Sequence, residues 1–545
     1  MIATFLRLAC CGVLLHSVTG AARAAEPDLR LVTAAVEQDM ATVRALVKQG
    51  ADVNAARADG ATAILWAAHW NDLDTVDLLL AAGARANATD DHGVTPLARA
   101  AENASEAMVA RLLRANADPN AAQTNGLTPL MIAARTGSVR VVKQLLAAGA
   151  NPNARTKHMN ATALMWAVSE RHRDVVQALA EAGGDVHVST DKGFTPLLYA
   201  ARNGDIEMAK VLITAGVNVN EKGSDGTHAL PYSLVLGHGD FAMSVLEQGA
   251  DPNATIDGIG ALHAAAGVVN TWLRDWSRRH GDNGQYSGGV VTSSRTLDPS
   301  QRLRLVQALI ARGADVNARI TKSAMFMSYI GYPKKGAFEP FACGTGDLYG
   351  ATPLWVAAYT ANGYVGGFGG NADRRLEGRP VENTTDVIKA LLAGGARVDL
   401  PSDDGTTPLM MAAGLGRSTF QPGLQRAARS VGAEEAVNVL LDAGADIHAT
   451  NEADFTALHG AAFRGLNEVI EILVRRGAHI NARDYRGRTP HRLAEGSKQS
   501  FQFQAYPETA EFIKKLGANT RLGIPGTEQE RIRDVGVAIA DANQP

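Results

Sequence analysis

Histidines and cysteines are the side chains of this sequence best suited to bind a metal ion or attack a substrate. The chain contains fourteen histidines and three cysteines, Cys10, Cys11 and Cys343. The histidines form neither a His-Glu-x-x-His motif nor a Cys/His cluster with the spacing of a zinc site. Cys343 has no base near it in the sequence that would activate it as a nucleophile. We therefore expect no catalytic residue, no metal site and no cofactor.

Two glycine-rich stretches differ from nucleotide-binding loops. Residues 366–370 read Gly-Gly-Phe-Gly-Gly but lack the Lys-Ser/Thr of a phosphate loop, and residues 344–350 miss the dinucleotide spacing. The sequence also lacks the Gly-x-Ser-x-Gly turn of serine hydrolases. These motifs favour a protein that is not an enzyme.

The first 24 residues have the features of a secretory signal peptide. Arg7 supplies the positive charge, residues 8–18 are mostly apolar, and Ala22-Arg23-Ala24 is a cleavage site of the small-x-small type. The apolar run is shorter than the roughly 20 residues that span a bilayer, so a membrane anchor is the weaker interpretation. We expect an exported protein, periplasmic or secreted, without a membrane span. Cleavage would leave Cys343 as the one cysteine and exclude an internal disulfide.

Charge and composition exclude further classes of protein. The 53 basic and 56 acidic residues give a net charge of −3, which argues against nucleic acid as the main partner. With 46% hydrophobic residues the chain can bury a large core, although only 5% of its residues are aromatic. A length of 545 residues would ordinarily indicate three or four separate domains.

A repeated unit gives a better account of the length. Its first residue falls at Gly60, Gly93, Gly126, Asn160, Gly193 and Gly226, so the period is 33 or 34 residues. Thr-Pro-Leu and an apolar segment with helical spacing follow the glycine, and Gly-Ala-Asp-x-Asn-Ala closes the unit. Threonine suits a helix N-cap, and proline suits the first helical turn. Each unit thus predicts two short helices that must stack on their neighbours to bury their apolar faces.

This pattern resembles the ankyrin repeat. The resemblance covers almost all of residues 25–520 and implies an all-α solenoid of about twelve helix-turn-helix units. Residues 521–545 would form a tail or a capping helix. In such repeats a histidine like His263 or His459 often bonds to the finger loops between units. The resemblance implies protein binding but does not identify the partner.

Four long inserts interrupt the later units. They occupy about 267–300, 319–349, 360–384 and 415–432. Because neighbouring inserts emerge close together in stacked repeats, we expect one lobe over units eight to ten. Aromatic residues and arginines, which dominate protein interfaces, are frequent in this region. The candidate binding residues of the lobe are Trp272, Arg274, Trp276, Arg278 and Tyr332. The alternative is that these aromatic residues only order the inserts.

A second candidate site is the groove that the resemblance implies along the finger loops and first helices. Its side chains would lie around the glycine of each unit and just after the Ala-Ala pair. The candidates are His69, Trp70, His92, Arg135, Phe194 and Arg202. We expect Trp70 and Phe194 to be exposed and to contribute most. The mixed polarity of this set suits a protein surface better than a small metabolite.

Three functions remain open from the sequence. The first is an exported, non-enzymatic scaffold that binds another protein through the groove, the lobe or both. The second is a lobe that binds a small ligand or glycan, with or without catalysis, using side chains such as Trp272, Trp276, Arg278, His280, Asp282 and Tyr286. The third is a secreted effector that acts on host proteins. The sequence does not indicate whether the chain self-associates.

Overall fold

The computed structural model describes residues 28–273, 276, 297–322, 348–361, 383–415, 429–485, 487–499 and 502–523. The predicted signal peptide at 1–24 lies outside these ranges. So do most of the four predicted inserts and residues 524–545 of the predicted tail. Three candidate residues of the lobe, Arg274, Arg278 and Tyr332, also fall outside the described residues.

The described residues are mostly helical, and the helices follow one another as short pairs. Their bounds, in chain order, are α1 Arg30–Val36, α2 Met40–Lys48, α3 Ala63–His69, α4 Leu73–Ala81, α5 Pro96–Glu102, α6 Glu106–Arg114, α7 Pro129–Thr136, α8 Val139–Ala147, α9 Ala163–Ser169, α10 Arg173–Glu181, α11 Pro196–Asn203, α12 Ile206–Thr214, α13 Ala229–Val235, α14 Gly239–Glu247, α15 Ala261–Ala266, α16 Pro299–Ala311, α17 Pro353–Ala361, α18 Thr385–Ala393, α19 Pro408–Ala412, α20 Val431–Asp442, α21 Ala457–Arg464, α22 Asn467–Arg475, α23 Pro490–Glu495 and α24 Pro507–Lys515.

The Thr-Pro pairs begin the first helix of a pair, as the sequence predicts. Thr95 is the N-cap of α5, and its side chain accepts a hydrogen bond from Ala98 N at 3.1 Å. Thr195 caps α11 in the same way, with Pro196 in the first turn. The cap satisfies one of the free N–H groups of the helix, and the proline occupies a position where no N–H is needed.

The described chain divides into two compact units. The first comprises residues 28–136 and 143–150, and the second comprises 137–142 and the described residues from 151 onward. In the first unit, α1, α3, α5 and α7 stack in that order. In the second, the first helices stack in the order α9, α11, α13, α15, α17, α19, α21 and α23. The contact between α15 and α17 shows that stacking continues past the first two inserts.

Each compact unit has a core of small and aliphatic side chains. The Ala-Ala pairs of the first helices, such as Ala100-Ala101 and Ala200-Ala201, are almost completely buried. Leucine and valine side chains of the second helices, such as Leu112 and Leu212, are buried against them. Alanine allows the two helices of a pair to approach closely, which explains the low aromatic content of the regular repeats.

An asparagine near the end of most repeats links the repeat to the next one. Asn87 Nδ2 donates to Asn116 O at 3.0 Å, and Asn87 Oδ1 accepts from Asp118 N at 2.7 Å. Asn54, Asn153, Asn220, Asn253 and Asn317 make the same two bonds to the following repeat. The Asn317 bond joins residues 78 positions apart in sequence. This ladder of side-chain hydrogen bonds therefore keeps the repeats in register across the long inserts.

The finger loops form a second set of links. Asp91 N donates to Asp59 O, and Asp403 N donates to Tyr349 O. Within one finger, Ile320 N donates to Ala351 O and Gly350 N donates to Ile320 O, both at 2.9 Å. The predicted insert at 319–349 therefore leaves and re-enters the finger at neighbouring residues.

Two short antiparallel strand pairs complete the described structure. β1 Thr255–Ile256 pairs with β2 Ile259–Gly260 within a finger loop. β3 Ser497–Gln499 pairs with β4 Gln502–Gln504 between α23 and α24. The second hairpin lies where the last repeat departs from the consensus, so the repeat pattern does not predict it. None of the helices in the described part of the chain combines the length and the apolar character required to cross a membrane.

Candidate functional site

The first compact unit carries an aromatic cluster at the end of α3, formed by Trp66, His69 and Trp70. The rings of Trp66 and Trp70 are stacked, with centroids 6.2 Å apart and planes at 29°. His69 meets Trp70 edge to face at 4.7 Å. Positions 66 and 70 are four residues apart, so the helix places both rings on one face. Trp70 is 40% exposed, which is unusual for so large an apolar side chain.

The following repeat fixes the backbone of this cluster. Asn103 Nδ2 donates to Ala68 O at 3.1 Å and to His69 O at 2.9 Å. These carbonyls lie at the end of α3, where helical partners are missing. The exposed ring of Trp70 therefore projects from a helix end whose backbone is already fixed in the unbound protein.

The other groove candidates lie in separate repeats. His92 is an exposed finger-loop residue whose carbonyl accepts from Thr124 N at 2.9 Å. Arg135 is exposed at the end of α7 in the first unit. In the second unit, Arg202 is exposed at the end of α11, and its carbonyl is 3.0 Å from His238 Nε2. The described contacts do not bring these three charged or polar side chains together into one cluster.

Phe194 differs from the expectation of an exposed ring. It is only 6% exposed, because it packs against aromatic neighbours from the adjacent repeat and from the first insert. Its ring centroid lies 5.9 Å from that of Tyr232 and 6.3 Å from that of Trp276. A predicted groove residue and a predicted lobe residue are therefore in direct contact.

Trp276 is buried in a subsite of the second compact unit, which we call the indole subsite. Its members are Phe194, Tyr232, Asp225 and Thr227. The indole Nε1–H donates to Asp225 Oδ2 at 2.8 Å and to Thr227 Oγ1 at 2.9 Å. Its ring lies 5.1 Å from Tyr232, and only 1% of the residue is exposed. The subsite thus recognises both the aromatic face and the N–H donor of the indole.

The finger loop positions the two acceptors of the indole subsite. Asp225 and Thr227 flank Gly226, whose φ of +84° is readily adopted only by glycine. Asp225 Oδ1 accepts from Thr227 N at 3.0 Å, and Oδ2 accepts from Thr227 Oγ1 at 2.9 Å. The hydroxyl of Thr227 thus donates to Asp225 and accepts from Trp276, so its proton position is fixed.

Trp272 is also buried, but against a later repeat. Its ring centroid lies 5.6 Å from Tyr359 and 6.4 Å from Trp355, both on α17. Nearby, Val268 N donates to Thr360 Oγ1 at 3.2 Å. We call residues 267–273 together with Trp276 the strap. The strap contacts α17 through Trp272. Through Trp276 it contacts Phe194, which lies next to α11, and Tyr232 on α13. Both tryptophans are internal contacts, in contrast to the expectation of exposed anchors.

Two buried histidines have the structural position that the repeat pattern indicates. His263 Nε2 donates to Ala351 O at 3.1 Å, and burial lowers the pKa of His263 to about 4. His459 Nδ1 accepts from Thr456 N at 3.1 Å, and its Nε2 donates to Arg488 O at 3.3 Å. Burial also lowers the pKa of His459. Both side chains connect a first helix to a finger loop of a following repeat in their neutral form.

The arrangement of side chains indicates recognition, and nothing in it points to catalysis. Within the described ranges, no group of three or more His, Cys, Asp or Glu side chains could hold a metal ion. The described site residues are aromatic rings, finger-loop acceptors and helix-end cations.

The fold defines a helical repeat protein, and comparison with known families agrees. A family model described as "Ankyrin repeats (3 copies)" matches residues 31–123, 107–190, 182–256 and 424–517. These segments together cover more than half of the chain. The chain therefore belongs to the ankyrin repeat family, a family of protein-interaction modules that are generally not enzymes.

Curated relatives resemble this chain only in their repeats. A segment of 111 residues is 36% identical to the Ankyrin repeat and KH domain-containing protein 1 of Homo sapiens, covering 20% of this chain and 4% of the human protein. A segment of 151 residues is 36% identical to the Neurogenic locus Notch protein of Drosophila melanogaster, covering 27% of this chain and 5% of that protein. This chain therefore spans a small part of the length of either relative.

Proposed function

We propose that this protein is an exported, non-enzymatic scaffold that binds a partner protein through the groove positions of its first compact unit. The observation that carries the proposal is the exposed face of Trp70, which is stacked on Trp66 and flanked by His69. Tryptophan is the side chain most enriched among binding hot spots. Because Asn103 already fixes this helix end, little conformational entropy is lost when a partner covers the ring.

Further groove positions of the first unit would form the polar rim of the interface. His92 and Arg135 are exposed, and neither lies in the aromatic cluster. An aromatic centre with a polar rim is the usual composition of a protein–protein interface. The ligand-binding lobe is less well supported, since Trp272 and Trp276, on which a glycan would stack, are buried against α17 and in the indole subsite.

Export is the second part of the proposal. It is supported by the positive charge of Arg7, the apolar run of residues 8–18 and the small residues at Ala22-Arg23-Ala24. Mass spectrometry of the protein recovered from a periplasmic extract and from the culture medium tests this. A mature N-terminus at Ala25 is expected, and an uncleaved chain confined to the cytoplasm would contradict export. A partner found in a host cell would favour the effector role.

The interface itself is tested by photo-crosslinking. A photoreactive phenylalanine analogue at position 70 is expected to capture a defined protein in the native cell, and Trp70→Ala should weaken binding of that purified protein at least tenfold. The matched control is Val431→Ala, since Val431 is 52% exposed but lies outside the groove positions. Equal affinity of both variants and the unmodified protein would exclude Trp70 from the interface.

A further inference from the structure

The indole subsite has the properties of a recognition site, and its occupant comes from the same chain. Trp276 lies about 50 residues after the finger residues that accept its hydrogen bonds. Both acceptors belong to a finger loop and flank its glycine, and Phe194 belongs to a groove position of the preceding repeat. These are positions at which the sequence predicts contact with a partner. Tyr232, the other ring, is buried on α13.

The strap begins where the regular first helix ends early. α15 stops at Ala266, and Gly267 is in extended conformation with φ −165°. The chain then runs along α17, where Thr360 Oγ1 accepts from Val268 N at 3.2 Å. Trp272 and Trp276 thus engage different repeats, Trp272 on α17 and Trp276 on the side of α11 and α13. The strap therefore packs against several repeats of the second compact unit.

We propose that the strap is an internal ligand of the groove and that the indole subsite accepts a tryptophan side chain of a partner protein when Trp276 leaves it. The inference rests on the proposed scaffold function only in taking the ligand to be a protein side chain. Tryptophan is favoured over phenylalanine because two acceptors converge on the N–H. Asp225 Oδ2 and Thr227 Oγ1 are 2.8 Å and 2.9 Å from the indole nitrogen. A ring without a donor would leave Asp225 Oδ2 and Thr227 Oγ1 without this bond, and the loss is costly at Thr227 because that residue is buried.

Internal occupancy has a defined consequence for affinity. A partner tryptophan can enter only in the fraction of molecules from which Trp276 has withdrawn, so the apparent affinity falls by that fraction. The indole subsite therefore stays occupied until a competing tryptophan displaces Trp276 or the strap shifts.

The experiment uses N-acetyl-L-tryptophanamide as the probe and the full chain as the receptor. Trp276→Ala is expected to bind the probe saturably in ligand-observed NMR or calorimetry. The 1-methylindole analogue, which lacks the N–H, should bind at least about tenfold more weakly because the bond to the carboxylate is lost. The unmodified protein should bind the probe at least tenfold more weakly than Trp276→Ala. Trp272→Ala is the matched control, since it removes the other tryptophan of the strap without vacating the subsite.

Several results would overturn the inference. A folded Trp276→Ala variant that shows no saturable binding, or that binds the methylated probe equally well, excludes an indole subsite. An unmodified protein that binds as tightly as Trp276→Ala excludes an internal ligand. Neither result bears on the Trp70 interface, which is measured with a different partner.

A second variant keeps the test decisive if Trp276→Ala does not fold. Asp225→Asn retains Oδ1 as the acceptor for Thr227 N but can present an amide N–H towards the indole. Incorporated 5-fluorotryptophan reports on Trp276, whose fluorine resonance is assigned by its loss in Trp276→Phe. In Asp225→Asn this resonance should shift to the position of a solvent-exposed ring. The variant should then bind N-acetyl-L-tryptophanamide no better than the 1-methylindole analogue. An unshifted resonance would show that the hydrogen bonds do not hold the strap.

Discussion

Trp276 Nε1 donates a 2.8 Å hydrogen bond to Asp225 Oδ2, and this bond joins the first long insert to a finger loop of an earlier repeat. The same nitrogen lies 2.9 Å from Thr227 Oγ1. The insert is therefore not a separate lobe at this point but part of the repeat surface. Phe194, predicted for the groove, and Trp276, predicted for the insert, are in direct contact in the structure.

Substitutions at Trp276 should separate its packing from its hydrogen bonds. Trp276→Phe keeps an aromatic ring against Tyr232 but loses both bonds, and we expect a loss of about 1–3 kcal/mol in the free energy of unfolding. Trp276→Ala also removes the ring, and the expected loss is about 3–5 kcal/mol. Chemical denaturation followed by circular dichroism measures both. Equal losses in the two variants would show that the hydrogen bonds carry all of the stabilisation.

The asparagine ladder offers a stabilising substitution at Asp399. Asp399 stands where Asn317 and its equivalents bond to the next repeat, but a carboxylate cannot donate to the carbonyl of Gly444. Its described ion pair with Arg397, at 3.5 Å, is exposed and contributes little. Asp399→Asn should therefore raise the unfolding free energy by roughly 0.5–1.5 kcal/mol.

Asp446→Asn is the control for this charge change. Asp446 Oδ1 accepts locally from His448 N, and the described bonds of this side chain do not reach another repeat. Thermal unfolding of both variants at one salt concentration distinguishes the ladder from a simple loss of negative charge. A similar rise in the two variants would contradict the role assigned to position 399.

Acid should weaken the fold through its buried histidines. His263 has its pKa lowered to about 4 by burial, so the folded state stays neutral while the unfolded state takes up a proton below about pH 6.5. Its contribution to stability is complete above pH 6.5, falls as the pH decreases, and is lost near pH 4. The loss amounts to at most about 3 kcal/mol over this window. The lowered pKa of His459 acts in the same direction.

Urea denaturation at pH 7.5, 6.0 and 5.0 measures this dependence. His263→Gln removes the titrating group and retains a side-chain donor for Ala351 O, so its stability should vary less with pH than that of the unmodified protein. The same slope in both proteins would assign the acid sensitivity to other groups.

Gly267 is required where the strap leaves α15. A Cβ atom at this position would overlap Thr360 Oγ1 and lie 2.8 Å from Val356 Cγ1, although the backbone conformation itself is open to any residue. Gly267→Ala should therefore displace the strap and cost about 2 kcal/mol or more, within the range for overpacked sites. It should also increase the exposure of Trp272 to a fluorescence quencher.

Gly313→Ala is the comparison that isolates the steric effect. Gly313 has a φ of +90°, and an added Cβ would meet no atom within 4 Å. Its cost should be only about 1 kcal/mol, from the left-handed backbone. Gly267→Ala could instead be no more destabilising than Gly313→Ala and leave Trp272 protected from the quencher. The close approach of Gly267 to α17 would then not be what fixes the position of the strap.

The repeat pattern predicted the parts of the fold that obey local rules. Thr95 and Thr195 cap helices as predicted, because a threonine followed by proline has few other favourable conformations. The buried alanine pairs follow from the helical period in the same way. The sequence could also have indicated the inter-repeat role of Asn87, since asparagine recurs at that position in most repeats.

The contacts of the strap could not be read from the sequence. Aromatic residues in an insert indicate either a binding surface or internal packing, and spacing does not distinguish these. The burial of Phe194 depends on Trp276, which is more than 80 positions away in the chain. Only the three-dimensional placement of the insert against the finger loop decides between exposure and burial.

The finger that carries the second insert is closed at its base, and this affects how the length of the insert can vary. Ile320 and Ala351 are joined by a backbone hydrogen bond of 2.9 Å, so the two ends of the insertion meet at a closed base. Lengthening a loop on such a base costs only about 0.6 kcal/mol for each doubling. Residues 323–347 can therefore be replaced by a sequence of different length while the repeats on either side keep their register. The base of this finger is therefore a suitable position for introducing new segments by engineering.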